Sequence, residues 1–136
     1  MDRELFEAAR TVRQRAHAPY SKYLVGAAVR AADGTIYTGC NVENASFPEG
    51  WCAETSAIAA MIAASSLEPG RRIAAICVVA DQIDGRFVTP CGGCRQRLAE
   101  FSHPDTAVHV ANADGIGRTF RLDDLLPEAF SMEPSA

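Results

Sequence analysis

The sequence contains no run of basic residues and no apolar stretch long enough to cross a membrane as a helix. Its formal net charge is −4, which argues against a nucleic-acid groove or an anionic membrane surface as a partner. It also has no internal repeat, low-complexity segment or linker, and its 136 residues suit one domain. We therefore expect a single domain spanning residues 1–136 that binds neither nucleic acid nor membranes.

Histidines with metal-ligand spacing are also absent, whereas cysteines are well represented. The three histidines have no ligand spacing to one another or to the cysteines: His17, His103 and His109. Cysteine occurs five times, an odd number, and Cys91 and Cys94 form a C-x-x-C pair. The charged start, Met1–Glu4, is unlike a signal peptide, so we expect a reducing cytoplasm. There, such cysteines bind metal more often than they form disulfides.

The hydrophobic pattern predicts helices and strands in the order α-β-β-α-β-α-β-β. The predicted elements are a helix over Asp2–His17, strands over Leu24–Ala32 and Ile36–Asn41, a helix over Cys52–Ser65, a strand over Ile73–Ala80, a helix over Cys91–Phe101, strands over Ala107–Ala111 and Arg118–Leu122, and a short helical end over Leu122–Phe130. Because Ile73–Ala80 is almost entirely apolar, we expect it to be a central strand covered on both faces. The order predicts an α/β fold, a mixed sheet with helices on its faces.

Three cysteines and one glutamate have the spacing of a catalytic zinc site. Cys52 begins the stretch C-A-E, which ends at Glu54, and Cys91 and Cys94 belong to P-C-G-G-C. Three protein ligands leave the fourth tetrahedral position of Zn²⁺ open for water, which separates a catalytic site from a closed structural one. Zinc-dependent deaminases carry H-x-E…P-C-x-x-C or its three-cysteine variant, in which the glutamate is not a ligand. The pattern predicts one Zn²⁺ held by three thiolates, with Glu54 as the catalytic proton carrier.

Both halves of this motif lie at predicted helix N-termini. Cα–Cβ bonds tilt toward the N-terminal end of a helix, so side chains from two helix starts can converge on one point. The positive ends of the helix dipoles favour the thiolate form. A lone C-x-x-C could also be a redox pair or half of a structural zinc site, and the upstream C-A-E favours catalysis. We assign Cys77 to the core and Cys40 to a strand end.

With these motifs in place, the sequence resembles the small homotetrameric cytidine deaminases of pyrimidine salvage from about Leu5 to Phe130. The resemblance rests on the stretches Ala18–Lys22, Val25–Ala28, Gly39–Ser46, Cys52–Glu54, Pro90–Gln96 and Leu125–Pro127, with Phe130. It implies an α/β/α three-layer sandwich around a five-stranded mixed sheet, a homotetramer, and one zinc per subunit. It also implies hydrolysis of cytidine or deoxycytidine to uridine or deoxyuridine plus ammonia.

The resemblance further implies contacts with a nucleoside. Asn41 and Glu43 would hold the ribose 3′-hydroxyl, Ala53 would offer backbone groups to the base, and Tyr23 would pack near the base. Three residues would come from neighbouring subunits to complete the pocket: Ala45 and Phe47 from one, and Phe130 from another.

Three positions depart from the family pattern. Thr55 replaces an arginine that donates hydrogen bonds to the ligand thiolates. Three thiolates on Zn²⁺ leave a net charge of about −1, and the remaining candidates to offset it are Arg95 and the two helix ends. Tyr23 replaces a phenylalanine, and its phenol would need a partner when buried, such as a substrate group that cytidine lacks. Phe47 replaces a tyrosine that contacts the ribose 5′-hydroxyl.

These departures leave alternatives to cytidine open. The same chemistry could act on another aminated heterocycle, such as a modified cytosine nucleoside or a blasticidin S-like compound. A non-catalytic protein with structural zinc belongs to a different class, and Glu54 with only three ligands argues against it. Polynucleotide editing is disfavoured by the acidic charge and the small size.

Overall fold

The computed structural model describes residues 1–134, so the last two positions of the predicted domain 1–136 lie outside the described residues. The elements are α1 (Arg3–Arg13), β1 (Gly26–Ala31), β2 (Ile36–Cys40), a 3₁₀ turn (Phe47–Glu49), α2 (Ala53–Ala64), β3 (Ile73–Val79), α3 (Gly92–Phe101), β4 (Ala107–Ala111), β5 (Gly117–Arg121) and α4 (Leu122–Leu125). Apart from the short 3₁₀ turn, type and order match the prediction. None of these helices has the length and apolar character needed to cross a membrane.

The five strands form one mixed sheet in the order β2-β1-β3-β4-β5. The β3–β4 pair is parallel, and the other three pairs are antiparallel. The apolar strand β3 occupies the centre of this order, as its sequence predicts. This strand has neighbours on both edges and helices above and below, so apart from exposed Ala74 and half-buried Ala75 its residues are buried, which is why they are nearly all apolar.

Helices cover both faces of the sheet, so the predicted three-layer α/β/α sandwich is confirmed. Because successive side chains of a strand point to opposite faces, neighbouring residues of β1 and β3 belong to different cores. On one face, α1 packs on the sheet through Leu5, Phe6, Ala9, Ala28, Cys77, Val79 and Ala111. On the other face, α2 and α3 contribute to a larger cluster with Ala27, Val29, Ala57, Met61, Ile76, Val78, Leu98 and Val108. Cys77 is therefore a core residue, as predicted.

Gly39 allows α2 to lie directly against β2. A Cβ atom at this position would come within 2.4 Å of the backbone nitrogen of Ala57 and 2.6 Å of the carbonyl oxygen of Ala53. The hydroxyl of Ser56 also donates to the carbonyl of Cys40 at 3.1 Å. These contacts fix the N-terminal turn of α2 on the sheet, and that turn carries Glu54.

Two predicted helices end earlier in the structure than in the sequence analysis. Helix α1 stops at Arg13, because the chain near His17 pairs instead with the segment after β2: the His17 N–H donates to the Asn41 carbonyl at 3.0 Å. The helical end predicted to reach Phe130 stops at Leu125. Pro127 lacks a backbone N–H and disfavours helical geometry in the residue before it, which ends the helix there.

His109 is a buried imidazole on β4 whose surroundings favour its neutral form. Its Nδ1 lies 2.7 Å from the hydroxyl of Thr119, its cross-strand neighbour on β5. Burial, followed by repulsion from the N-terminal amine, lowers the pKa of His109 below its ordinary value of 6.5, and Asp2 opposes this shift only weakly. The folded protein therefore binds a proton here less readily than the unfolded chain does.

We expect the free energy of unfolding to decrease as the pH falls below about 6.5 and on through the lower pKa that His109 has in the folded protein. Above about pH 6.5 the contribution of His109 to stability is fully present. His109→Gln should make the decrease shallower in denaturant titrations across pH 5 to 8. The control is His103→Gln, which alters an exposed imidazole and should keep the wild-type slope. Equal slopes for His109→Gln and wild type would rule out this origin of the pH dependence.

Candidate active site

Three cysteine thiols meet where the N-terminal ends of α2 and α3 come together. Cys52 is the N-cap of α2 and Cys91 is the N-cap of α3. Cys94, in the first turn of α3, is fully buried, whereas Cys52 is half-buried and Cys91 is exposed. Their Sγ atoms all lie within 4.8 Å of one another. The predicted convergence of two helix starts therefore occurs, because each cap side chain points back beyond its own helix.

This group of thiols fits a zinc ion in ligand type, number and spacing. Two sulfur atoms, each about 2.3 Å from one tetrahedral ion, lie about 3.8 Å apart, within the separation found here. Within residues 1–134 the group has three members and includes no histidine or carboxylate. A hydrogen bond with the Cys94 thiol lowers the pKa of Cys52, and the same bond raises the pKa of Cys94. Three thiols are the donor set of a zinc site with one open position.

Glu54 lies beside the thiols but outside their ligand group. It occupies the first turn of α2, two residues after Cys52, and is only 5% exposed. Burial raises the pKa of Glu54, and contacts with Cys94 and the charge of Arg97 oppose that rise. A buried carboxyl group beside the reacting atoms can both accept and return a proton, which is the property that proton shuttling requires.

Arg95 does not contact the thiols, contrary to the expectation that it offsets their charge. Its guanidinium donates to the carbonyls of Pro90 and Leu125, at 2.6 and 2.7 Å, and to the hydroxyl of Thr89 at 2.7 Å. Five donors in a rigid fork suit this bridging of several chain segments. Arg95 therefore ties the start of α3 to the C-terminal segment, and its charge is committed there.

A large cavity opens beside the thiols and Glu54. Its volume is about 600 Å³, which is in the range of small-molecule sites. Most of the predicted site residues line it: Asn41, Glu43, Phe47, Cys52, Ala53, Glu54 and Cys91. Sequence reasoning missed Tyr20, Trp51 and Val88, which also line it. The ring of Tyr20 packs edge-on against Phe47, with 5.9 Å between ring centroids.

Two of the polar residues that line the cavity, Asn41 and Glu43, are held by hydrogen bonds to neighbouring backbone groups. The side-chain Oδ1 of Asn41 accepts from the Val25 N–H at 2.9 Å, and its Nδ2 donates to the Tyr23 carbonyl at 2.9 Å. Glu43 accepts from the N–H groups of Tyr20 and Ser21 at 3.0 and 3.1 Å, and from the Ser21 hydroxyl. That hydroxyl is the main cause of the lowered pKa of Glu43, so this residue presents a fixed carboxylate.

The sequence that carries this site matches a known family of proteins. The profile described as "Cytidine and deoxycytidylate deaminase zinc-binding region" matches residues 1–110. The chain belongs to this deaminase family. The family is a zinc-binding one, and the three thiols form the group in residues 1–134 that could hold its ion.

Relatives in this deaminase family match the chain over almost its whole length. A cytidine deaminase from Sporosarcina psychrophila is 42% identical over 130 residues, covering 96% of this chain and 91% of the relative. One from Halalkalibacterium halodurans is 42% identical over 135 residues, covering 98% and 97%. The crystal structure of a cytidine deaminase from Burkholderia pseudomallei superimposes with a TM-score of 0.85 at 41% identity, covering 96% of this chain and 99% of that one.

Tyr23, which the resemblance to the deaminase family places near the base, has its phenol bonded within its own chain. It is not among the residues that line the cavity, and its phenol donates to the backbone carbonyl of Asp81. Burial, together with the charge of Asp81, raises the pKa of Tyr23. Because the phenol already has a partner within the chain, it does not need a substrate group to satisfy it.

Ala45 and Phe130 also lie outside the cavity lining of their own chain. Phe130 is 71% exposed, and its carbonyl accepts from the side chain of Gln96 at 3.0 Å. Phe47 lines the cavity of its own chain while remaining 76% exposed. The structure of one chain thus leaves these residues near the surface, where the resemblance expects contacts with neighbouring subunits.

Proposed function

We propose that this protein is a zinc-dependent enzyme that hydrolyses cytidine and deoxycytidine to uridine and deoxyuridine with release of ammonia. The observation that carries this proposal is the placement of buried Glu54 beside three thiols at the end of a nucleoside-sized cavity. The relatives named above are cytidine deaminases at about the same chain length. The same chemistry on a different aminated heterocycle is not favoured, since the phenol of Tyr23 faces Asp81 instead of the cavity.

Cys52, Cys91 and Cys94 would hold the zinc ion. When bound there, zinc would supply Lewis acidity that lowers the pKa of a bound water molecule to about 7. Glu54 would accept a proton from the water that adds to C4 of the cytosine ring and would deliver that proton to N3. Glu54 then moves the remaining hydroxyl proton to the exocyclic amine, the C4–N bond breaks, and ammonia leaves.

The remaining cavity residues would orient the nucleoside. Asn41 and Glu43 would bind the ribose 3′-hydroxyl, because both are anchored by backbone hydrogen bonds and retain free acceptor lone pairs. Backbone groups of Ala53 would contact the base. Phe47 and Trp51 offer apolar faces at the mouth of the cavity, and Phe47 carries no hydroxyl for the ribose 5′-hydroxyl. Tyr23 would contribute indirectly, because its backbone carbonyl accepts a hydrogen bond from the side chain of Asn41.

The test is an ultraviolet assay of the purified protein against cytidine, deoxycytidine, 5′-deoxycytidine, cytosine and blasticidin S. We expect kcat/KM to be highest for cytidine and deoxycytidine. Loss of the 5′-hydroxyl should cost little, since one neutral hydrogen bond is worth only about 0.5–1.5 kcal/mol and Phe47 does not make it. Absence of turnover with both nucleosides, in protein that contains zinc, would refute the proposed substrate.

We also propose that the chain acts as one domain in the cytoplasm. All five cysteines are free in the described structure, and a site built from three thiolates requires a reducing compartment to stay available for metal. The partners in this proposal are small-molecule nucleosides and further copies of the same chain.

The assembly that we propose is a homotetramer in which neighbouring subunits complete each cavity with Ala45, Phe47 and Phe130. The support is the number of exposed apolar side chains near the cavity mouth and the C-terminal segment: Phe47, Trp51, Phe130 and Met132. Such exposure on one chain is typical of surfaces that associate.

Phe130→Ala is therefore expected to weaken the tetramer and to lower kcat/KM by about 10-fold or more, because a buried aromatic anchor often contributes about 2 kcal/mol at an interface. Light scattering and the cytidine assay would be measured on the same samples. Ile116→Ala removes another exposed apolar side chain, from the turn before β5, and should leave both readings unchanged. A fully active wild-type monomer would contradict the proposed assembly.

A further inference from the structure

A zinc ion on three thiolates would leave an excess negative charge in a partly buried place. The ion carries two positive charges and the ligands three negative ones, so the group has a net charge of about −1. Glu54, also buried, adds a carboxyl beside it. Hydrogen bonds and cations around the ligands decide whether such a site keeps its metal and how acidic its bound water becomes. The residues surrounding the most buried ligand are therefore informative.

Two side chains approach the sulfur of Cys94 from different helices. The Nη1 atom of Arg97, on α3, lies 3.8 Å from Cys94 Sγ, and the hydroxyl of Thr55, on α2, lies 3.9 Å from the same atom. Arg97 follows Cys94 by three residues, a spacing that puts both on one side of the helix. Cys94 itself is fully buried, so these contacts cover a ligand that water does not solvate.

Gly93 leaves room for the guanidinium of Arg97 beside the first turn of α3. A Cβ atom at Gly93 would lie 3.2 Å from Nη1 of Arg97 and 3.8 Å from its Cζ. The guanidinium therefore lies against the backbone of the first turn of α3. Among the described residues, Arg97 forms no salt bridge with a carboxylate, so its charge is available to the sulfur.

We infer that Arg97, assisted by the Thr55 hydroxyl, is the positioning residue that supplies positive charge and a hydrogen bond to the Cys94 thiolate. Arg97 would act through Cys94 and touch neither substrate nor zinc. The inference rests on the zinc site of the proposed function and adds the group that stabilises its ionised ligands. A guanidinium suits this position because its planar fork of N–H donors can reach a buried acceptor and is more weakly hydrated than an ammonium.

The experiment measures the rate at which the zinc-loaded protein releases its metal to a colorimetric chelator. Arg97→Gln should release zinc about tenfold faster than wild type. This is the lower end of the usual effect of groups around metal ligands. We expect the lower end because the side chain of Arg97 is exposed to solvent. Arg97→Lys should fall between wild type and Arg97→Gln. The difference should shrink as salt is raised from about 0.05 to 1 M, since salt screens an exposed charge.

Thr55→Arg provides a rescue in the Arg97→Gln background. Thr55 faces a groove of about 320 Å³ between α2 and α3, which Arg97 also lines, so an arginine at position 55 has room to reach the same sulfur. The double variant should restore slow zinc release to within about twofold to threefold of wild type. Arg97→Lys, which keeps a positive charge but loses the guanidinium, keeps the inference testable if Arg97→Gln does not fold. Arg15→Gln, which removes an exposed charge after α1, is the control.

The outcomes separate the inference from the proposed function. A wild-type protein without zinc would refute the proposed zinc site itself. Wild type with one zinc, but with an unchanged release rate in Arg97→Gln, would overturn the role of Arg97 alone. Arg97→Gln could instead lose the same thermal stability with and without zinc while its release rate stays unchanged. That result would mean that Arg97 contributes only to packing, and it would also overturn the inference.

Discussion

Glu54→Gln is expected to remove nearly all deaminase activity while leaving the fold and the zinc content intact. Glutamine has almost the same shape as glutamate, so it can occupy the buried position at the start of α2 without a cavity or a clash. It cannot accept a proton from water or return one to the ring and to the leaving amine. General acid–base steps are worth about 10²–10⁴-fold each, and Glu54 would serve more than one.

The expected result is a decrease of about 10⁴-fold or more in kcat for cytidine, with about one zinc per chain still bound. Glu49→Gln is a matched control, because Glu49 is an exposed carboxylate of the 3₁₀ turn just before the site and is not among the residues that line the cavity. Activity of Glu54→Gln within about tenfold of wild type would remove this residue from the proton-transfer steps.

Cys91→Ala is expected to abolish zinc binding and, with it, activity. Cys91 is exposed at the N-cap of α3, so its truncation leaves no hole in the core, unlike a change at buried Cys94. Two remaining thiols are too few for a stable catalytic zinc site, which has three protein ligands. Elemental analysis should therefore find well under half a zinc per chain.

The matched control for this change is Cys40→Ala. Cys40 is a half-buried cysteine at the end of β2 and is not a member of the thiol group. It should retain about one zinc per chain and full activity. Zinc content that stays at wild-type levels in Cys91→Ala would show that the metal is bound elsewhere.

Helix and strand positions were predictable wherever the hydrophobic pattern was uninterrupted. The apolar stretch of β3 and the motif cysteines at two helix starts are local signals, and the structure agrees with them. The ends of α1 and α4 were wrong, because a backbone pairing at His17 and a proline at position 127 stop these helices. The proline was visible in the sequence, whereas the pairing depends on residues more than twenty positions away.

Around the thiols, the sequence pointed to the wrong arginine. Arg95 lies next to Cys94 in the chain, but its side chain leaves on another side of α3 and bonds to the segment before that helix and to Leu125. Arg97 is the arginine that reaches the sulfur. The spacing of three residues from Cys94 was the signal that could have identified it.

The sequence by itself determined the chemistry of this protein: three thiols, a glutamate two residues after the first, and helix starts that turn them toward one place. Those properties are local, since ligand type, spacing and helix direction follow from short stretches of chain. Only the tertiary structure decided which side chains reach the site from elsewhere. Tyr23 donates to Asp81, Arg97 approaches Cys94 over Gly93, and Tyr20 with Trp51 joins the cavity. Such contacts depend on how separate elements pack, which the order of residues along the chain does not specify.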